Sequence, residues 1–446
     1  MENQEKKLLA GYAEVIITPP LGLKMPGQYS IRPAEGITVD LKARAVAFQS
    51  GEKKAILLLC DALYGRGKSA EQIREKIAAR CGVEPEAIHV ACNHSHTATR
   101  ILDLNEKMEE LEEIYGRRQH QMLTDLAQFA FEDLHPVTGM KKARGEVKNV
   151  AFLRRYRMKD GTCKTNPVGH EADILHPLGE ADESLQMVRI LREGAKEIVL
   201  LNFGTHADVV GKRNFHADYT DFVCNYFKAA LENKVEVIDF VGCQGDSNHV
   251  NWPKTLPGET FKGEHFAKRM ARMIAGEALK IYDDAEDMSD DIEITTASTV
   301  VKIGKNPYDP ADVPEAREIA RLYKELGHKK DPIFKTFKMG VPEANRILAN
   351  LDRPEFFDVP LSAVRIGEFA FAGIPGEPFQ KIGLDIKAAS PFEMTFVTCC
   401  TNGYIGYYPT RDAFEEKGYE RSTSPFAWDC AEIVTEGCKE IISKLK

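Results

Sequence analysis

The 446-residue chain carries 59 lysines and arginines against 68 aspartates and glutamates, a net charge of −9, with 43% hydrophobic and 28% charged residues. That composition excludes a disordered, collagen-like or low-complexity chain and allows a large core. The acidic balance, with no long basic run, also argues against a partner such as nucleic acid, whose phosphates are neutralised by Lys and Arg.

The first residues, Met1 to Ala10, lack the apolar core of a secretory signal, and no run of about 18 apolar residues follows, so the sequence reads as cytoplasmic with no integral membrane segment. Apolar, β-branched runs predict strands at 45–48, 55–60, 87–92, 197–203, 235–242, 292–301, 363–372 and 394–399. Helical spacing predicts helices over 70–79, 108–134, 222–231, 264–282, 313–326, 342–351 and 427–445. Strands alternating with helices indicate an α/β protein with mixed β-sheets flanked by helices, read as a single domain over 1–446. The acidic run 283–291 reads as a solvated loop. The helical, proline-bounded insertion 307–360 reads equally as a cap or as a cover over the sheet. The ten cysteines are scattered without a Cys-x-x-Cys and read as reduced core thiols.

Chemistry concentrates after the strands. The run 87–92 leads into Asn93-His94-Ser95-His96-Thr97, 197–203 into Gly204-Thr205-His206, 235–242 into Cys243-Gln244-Gly245-Asp246-Ser247-Asn248-His249, and 363–372 into Pro375-Gly376-Glu377. Loops beyond the carboxyl ends of strands form the usual ligand crevice of α/β sheets, so these segments are expected to converge. Imidazole and carboxylate suit Zn²⁺. Each piece also has a plain structural reading: a hydrogen-bonded His pair, a helix N-terminal carboxylate at Glu377, an Asx turn at 245–248. Gly-x-Ser-x-Gly, Gly-x-Gly-x-x-Gly and Walker A patterns are absent, which disfavours α/β-hydrolase, dinucleotide and nucleoside-triphosphate chemistry.

These segments, with Gly11-Tyr12-Ala13-Glu14-Val15-Ile16-Ile17-Thr18-Pro19-Pro20, Met25-Pro26-Gly27-Gln28-Tyr29 and Tyr407-x-x-Thr410-Arg411-Asp412 followed by Tyr419-Glu420, resemble the catalytic domain of the neutral, non-lysosomal ceramidase family, in order over nearly the whole chain. The resemblance implies that fold without the C-terminal β-sandwich of the secreted members. It implies Zn²⁺ held by His96, His206, Glu377 and Tyr407, with His94 as the companion histidine and Tyr419 lining the site. The family's Gly-Asp-Val-Ser-Pro-Asn is altered here: Ser247 falls one residue early and strict register puts Asn248 at the serine position. Arg154 or Arg155 matches a substrate-contacting arginine.

The expected activity is hydrolysis of a C–N bond by zinc-activated water, in a ceramide-like or smaller, soluble N-acyl substrate. His94, Asp246, Ser247 and Tyr419 are the expected catalytic groups, with Arg154, Arg155 and His249 on the substrate. Two alternatives stay open: a metal-dependent hydrolase of a glycoside or ester on the same scaffold, and a non-catalytic ligand-binding homologue. The oligomeric state is not legible.

Overall fold

The computed structural model describes residues 7–28, 32–255, 261–327 and 332–446, so the tyrosine of the Met25–Tyr29 motif lies outside the described residues. Strands β1 (Leu8–Ile16), β2 (Lys42–Ser50), β3 (Lys53–Cys60), β4 (Ile88–Cys92), β5 (His135–Glu146), β6 (Ser184–Arg192), β7 (Glu197–Phe203) and β8 (Val235–Val241) build the larger sheet in the order β8-β7-β6-β5-β1-β2-β3-β4. A smaller sheet joins β9 (Ile294–Gly304), β10 (Phe356–Ile366), β11 (Phe369–Gly373) and β12 (Met394–Thr398) in that order. The helices are α1 (Ser69–Cys81), α2 (Glu110–Glu132), α3 (Tyr219–Ala230), α4 (Glu264–Tyr282), α5 (Val313–Leu326), α6 (Val341–Leu351), α7 (Gln380–Ala389), α8 (Arg411–Glu416), α9 (Tyr419–Thr423) and α10 (Cys430–Ser443).

Most neighbours in these two sheets are antiparallel, but β3–β4, β7–β8 and β11–β12 are parallel. A parallel pair needs a crossover, and the chain supplies α1, α3 and α7 at those three places. The sheets pack face to face because their strands alternate. Phe369 and Phe371 of β11 point into the core shared with the large sheet, while Ala370 and Ala372 join the core beneath α7 and α10. In β7, Ile198 and Leu200 face that shared core and Val199 and Leu201 the core beneath α3 and α4.

The two ends of the large sheet meet the same segment of the small one. Cys92 N–H donates to the Cys400 carbonyl at 3.2 Å, and Cys399 N–H donates to the Val241 carbonyl at 3.2 Å. The large sheet is therefore curled, and the carboxyl ends of its outermost strands, β4 and β8, are brought together.

Several expectations are revised. The run 363–372 is not one strand: the chain reverses at Gly367, whose φ is +56°, and returns as β11. The turn is marked by Gly367 and Glu368, but the buried apolar residues on both sides merge into what reads as one run. Apolar runs and helical spacing predict none of strands β1, β5 and β6 or helices α7, α8 and α9, although the family resemblance supplies the first as an opening strand. Within the acidic run, Glu286 and Asp287 form a short strand opposite Lys142 and Lys141, drawn by charge, with Asp287 Oδ1 2.9 Å from Lys141 Nζ. The described part of 307–360 forms α5 and α6 around a small core of Ala316, Ile319, Ala344 and Ile347, packs α6 on α9 and ends inside β10. All ten cysteines are free. No helix among the described residues is long and apolar enough to cross a membrane.

Candidate metal centre

Three strands, each a member of a different parallel pair, lead at their carboxyl ends into the same site. The loop after β4 carries His94 and His96, the loop after β7 carries His206, and the turn after β11 carries Glu377. The β4 loop is held tightly. Asn93 Nδ2 donates to Asp61 Oδ1 at 2.8 Å and to the Ala217 carbonyl at 3.0 Å, and His94 takes a left-handed φ of +62°. His96 N–H donates to the Ala207 carbonyl at 3.0 Å, tying this loop to the one bearing His206.

The three imidazoles cluster so that one ligand atom from each lies within 4.8 Å of the others. His94 Nδ1 sits 2.8 Å from the Leu63 carbonyl and His206 Nδ1 3.1 Å from the Gln244 carbonyl. A carbonyl only accepts, so both Nδ1 atoms carry protons, and in the neutral rings both Nε2 atoms present lone pairs. Those two Nε2 atoms are each 3.3 Å from the same oxygen, Glu377 Oε2, which has no hydrogen-bond partner. Two lone pairs against a carboxylate oxygen, all buried, repel unless a positive charge, a proton on His94 or a metal ion, lies among them. Donors on a tetrahedral zinc with bonds of about 2.0 Å stand about 3.3 Å apart, so the donor set fits such an ion. The Nδ1–H to carbonyl bonds are the outer support that ligating histidines usually have.

His96 is set differently. Both of its ring nitrogens lack partners, its Nδ1 is 4.0 Å from Asp208 Oδ1, and burial lowers its pKa to about 4. With no ion between them, Glu377 and His94 act as opposite charges: against burial, His94, then His206 and the Tyr404 hydroxyl, hold the carboxyl far below the usual range, and Glu377 in turn raises the His94 pKa. Tyr404 Oη donates to Glu377 Oε1 at 2.6 Å.

Of the remaining expected site residues, several are assembled nearby. Tyr407 lies opposite Glu377 in a short parallel pair. The Arg154 guanidinium sits over the Tyr407 and Tyr419 rings, at 5.3 and 5.9 Å from their centroids, and donates to Glu420 Oε1 at 2.8 Å and to the Gly245 carbonyl at 2.7 Å. A cavity of about 830 Å³ opens beside His206, with Arg154, Asn248, His249, Trp252 and Phe261 in its walls. Burial lowers the His249 pKa to about 4, and its Nε2 is 2.5 Å from the Phe261 carbonyl.

Others are turned away. Ser247 is fully buried, with its hydroxyl 3.4 Å from the Gly204 carbonyl, and is not a cavity wall. Asp246 accepts Gln380 N–H at 2.9 Å, with burial raising its pKa to about 6. Arg155 pairs with Glu416 at 2.7 Å, away from the cavity. Asn248, at the register position of the family's serine, stays in the cavity wall, where it donates to Asn166 Oδ1 at 2.5 Å. Two groups had gone unassigned. Asp208 lies two residues beyond His206, and Tyr404 lies three before Tyr407 in a run where spacing could not choose between tyrosines.

No protein-family model matches the chain and no curated protein matches it by sequence. Solved structures do. Neutral ceramidase from Pseudomonas aeruginosa superposes with a TM-score of 0.72 at 14% identity, covering 99% of this chain and 75% of that one. A ceramidase complexed with C2 gives 0.71 at 13% identity with the same coverage. The fold is that of neutral ceramidase. At this identity the likeness establishes the neutral ceramidase architecture and leaves the chemistry to the residues.

Proposed function

We propose that the chain is a metal-dependent hydrolase of an amide bond, with His94, His206 and Glu377 as the core ligands of a zinc ion. The observation that carries this reading is the shared 3.3 Å approach of the His94 and His206 Nε2 atoms to the unpartnered Glu377 Oε2. His96 and Tyr407, expected from the resemblance as ligands, border this set; the fixed tautomers of His94 and His206 favour them as donors ahead of His96. Bound zinc would polarise the scissile carbonyl and make hydroxide available near neutral pH.

The chain's own residues supply the rest. Arg154, buried and fixed by Glu420 and Gly245, presents positive charge where the carbonyl oxygen becomes anionic. His96, kept neutral by burial and with neither ring nitrogen hydrogen-bonded, accepts a proton and returns it to the leaving nitrogen. Tyr407 and Tyr419 flank Arg154 and shape the approach. Asn248 is no nucleophile, and Ser247 is bonded to backbone, so water attacks rather than serine. The solved neighbours are ceramidases, and an N-acyl substrate fits the cavity, which pairs apolar Val168, Val250 and Phe261 with polar Asn166 and Thr255.

The test is metal analysis of the purified chain followed by a screen of N-acyl compounds, short-chain ceramide included, against glycosides and esters. About one zinc per chain and release of fatty acid from an N-acyl compound is expected. Turnover confined to glycosides or esters would replace the amide reading, and tight substrate binding without turnover would replace the enzyme reading.

A further inference from the structure

Tyr404 is the second partner of the Glu377 carboxylate, and its setting is more constrained than a chance hydrogen bond requires. Its hydroxyl donates to Oε1 at 2.6 Å, while Oε2 carries no hydrogen bond and faces the two histidines. Its ring stacks on Tyr64 with centroids 4.1 Å apart and planes 15° apart, and lies nearly parallel to His94, 18° and 6.2 Å away. Gly376, with φ +148°, lets the turn before Glu377 pass so close to the Gly406 carbonyl that a Cβ would stand 2.3 Å from that oxygen. The Glu377 side chain and the 401–408 segment are therefore locked together.

We infer that Tyr404 is a positioning residue that occupies one oxygen of Glu377 and so leaves the other as a single-point metal donor. The inference rests on the metal reading above. A free carboxylate takes a metal through one or both oxygens; a phenol on Oε1 removes the two-point mode and fixes the lone pair of Oε2 on the His94–His206 side. Tyr64 holds the phenol by stacking, with a contribution typical of aromatic pairs.

Tyr404→Phe removes one oxygen and leaves the stack. The experiment uses the full chain stripped of metal and titrated with Zn²⁺ and with Co²⁺, whose visible spectrum reports coordination number. The expected result is a 10- to 100-fold weaker zinc affinity, with a weaker, blue-shifted cobalt band as Glu377 binds through both oxygens. Tyr115→Phe, which removes a distant buried phenol hydrogen bond to the Ile17 carbonyl, leaves both readouts unchanged. Tyr64→Leu, which keeps the phenol but removes its platform, moves them in the same direction by less. Unaltered affinity and spectrum in Tyr404→Phe, with wild type binding metal, would overturn this role alone. Failure of wild type to bind either ion would overturn the metal reading itself.

Discussion

His94 and His96 are two residues apart yet occupy unlike environments. His94 Nδ1 is engaged by the Leu63 carbonyl and its Nε2 confronts Glu377, whereas neither nitrogen of His96 has a partner and the nearest carboxylate, Asp208, is 4.0 Å away. Imidazoles with a fixed tautomer make the better metal ligands, and an unfixed neutral one makes the better proton carrier. His94→Ala, His206→Ala and Glu377→Ala are each expected to lose bound zinc, while His96→Ala retains it and loses at least about 100-fold in turnover, the range of general acid–base catalysis. Metal analysis beside turnover measures the difference. Equal zinc loss in His96→Ala would return it to the ligand set that the family resemblance implied. The family resemblance put His96 in the ligand set and His94 beside it; the residue types alone do not rank them, because the difference lies in one backbone carbonyl, that of Leu63, which leaves no trace in residue type.

At the scale of elements, the three crossovers decide where chemistry sits. Each of α1, α3 and α7 returns the chain to a parallel strand, and the candidate ligands follow β4, β7 and β11 within a few residues. The loop after β8 is seated on the ligand turn itself. Gly245 N–H donates to the Pro378 carbonyl at 2.8 Å, and a Cβ on Gly245 would stand 2.4 Å from the Glu377 carbonyl oxygen. Gly245→Ala must therefore push two backbone segments apart. The expected loss is about 1–3 kcal/mol, as for overpacked sites, read by urea denaturation, with weaker zinc binding in the same variant; unchanged stability and affinity would show that the turn yields freely. Most strands and helices beside these loops were legible from apolar runs and helical spacing. The β10–β11 reversal was not, although Gly367-Glu368 marks it, because the apolar runs on either side read together as one strand. Helix α9 carries Tyr419 and Glu420, and its contact with α6 links the 307–360 insertion to Arg154 through Glu420.

For the whole molecule, the candidate ligands come from segments more than 100 residues apart, since His94, His206 and Glu377 belong to three different strand ends. An ion among them joins the two ends of the curled large sheet to the small sheet, and it binds only the folded chain. Zinc at about 100 times its dissociation constant is then expected to add about 2.7 kcal/mol, raising the melting temperature by about 3–5 °C. Chelation should reverse the gain, and calorimetry with and without chelator measures it. An identical melting curve in both would count against a shared ion. What the sequence determined alone was the α/β class, the positions of most elements and the residue types at the strand ends, because period and composition are local properties. Tertiary structure alone decided which histidine meets Glu377, that Tyr404 holds the carboxylate, and that Ser247 faces backbone. Those depend on the curl that brings β4 and β8 to the same segment, and curl arises from the packing of two sheets rather than from any one stretch of chain.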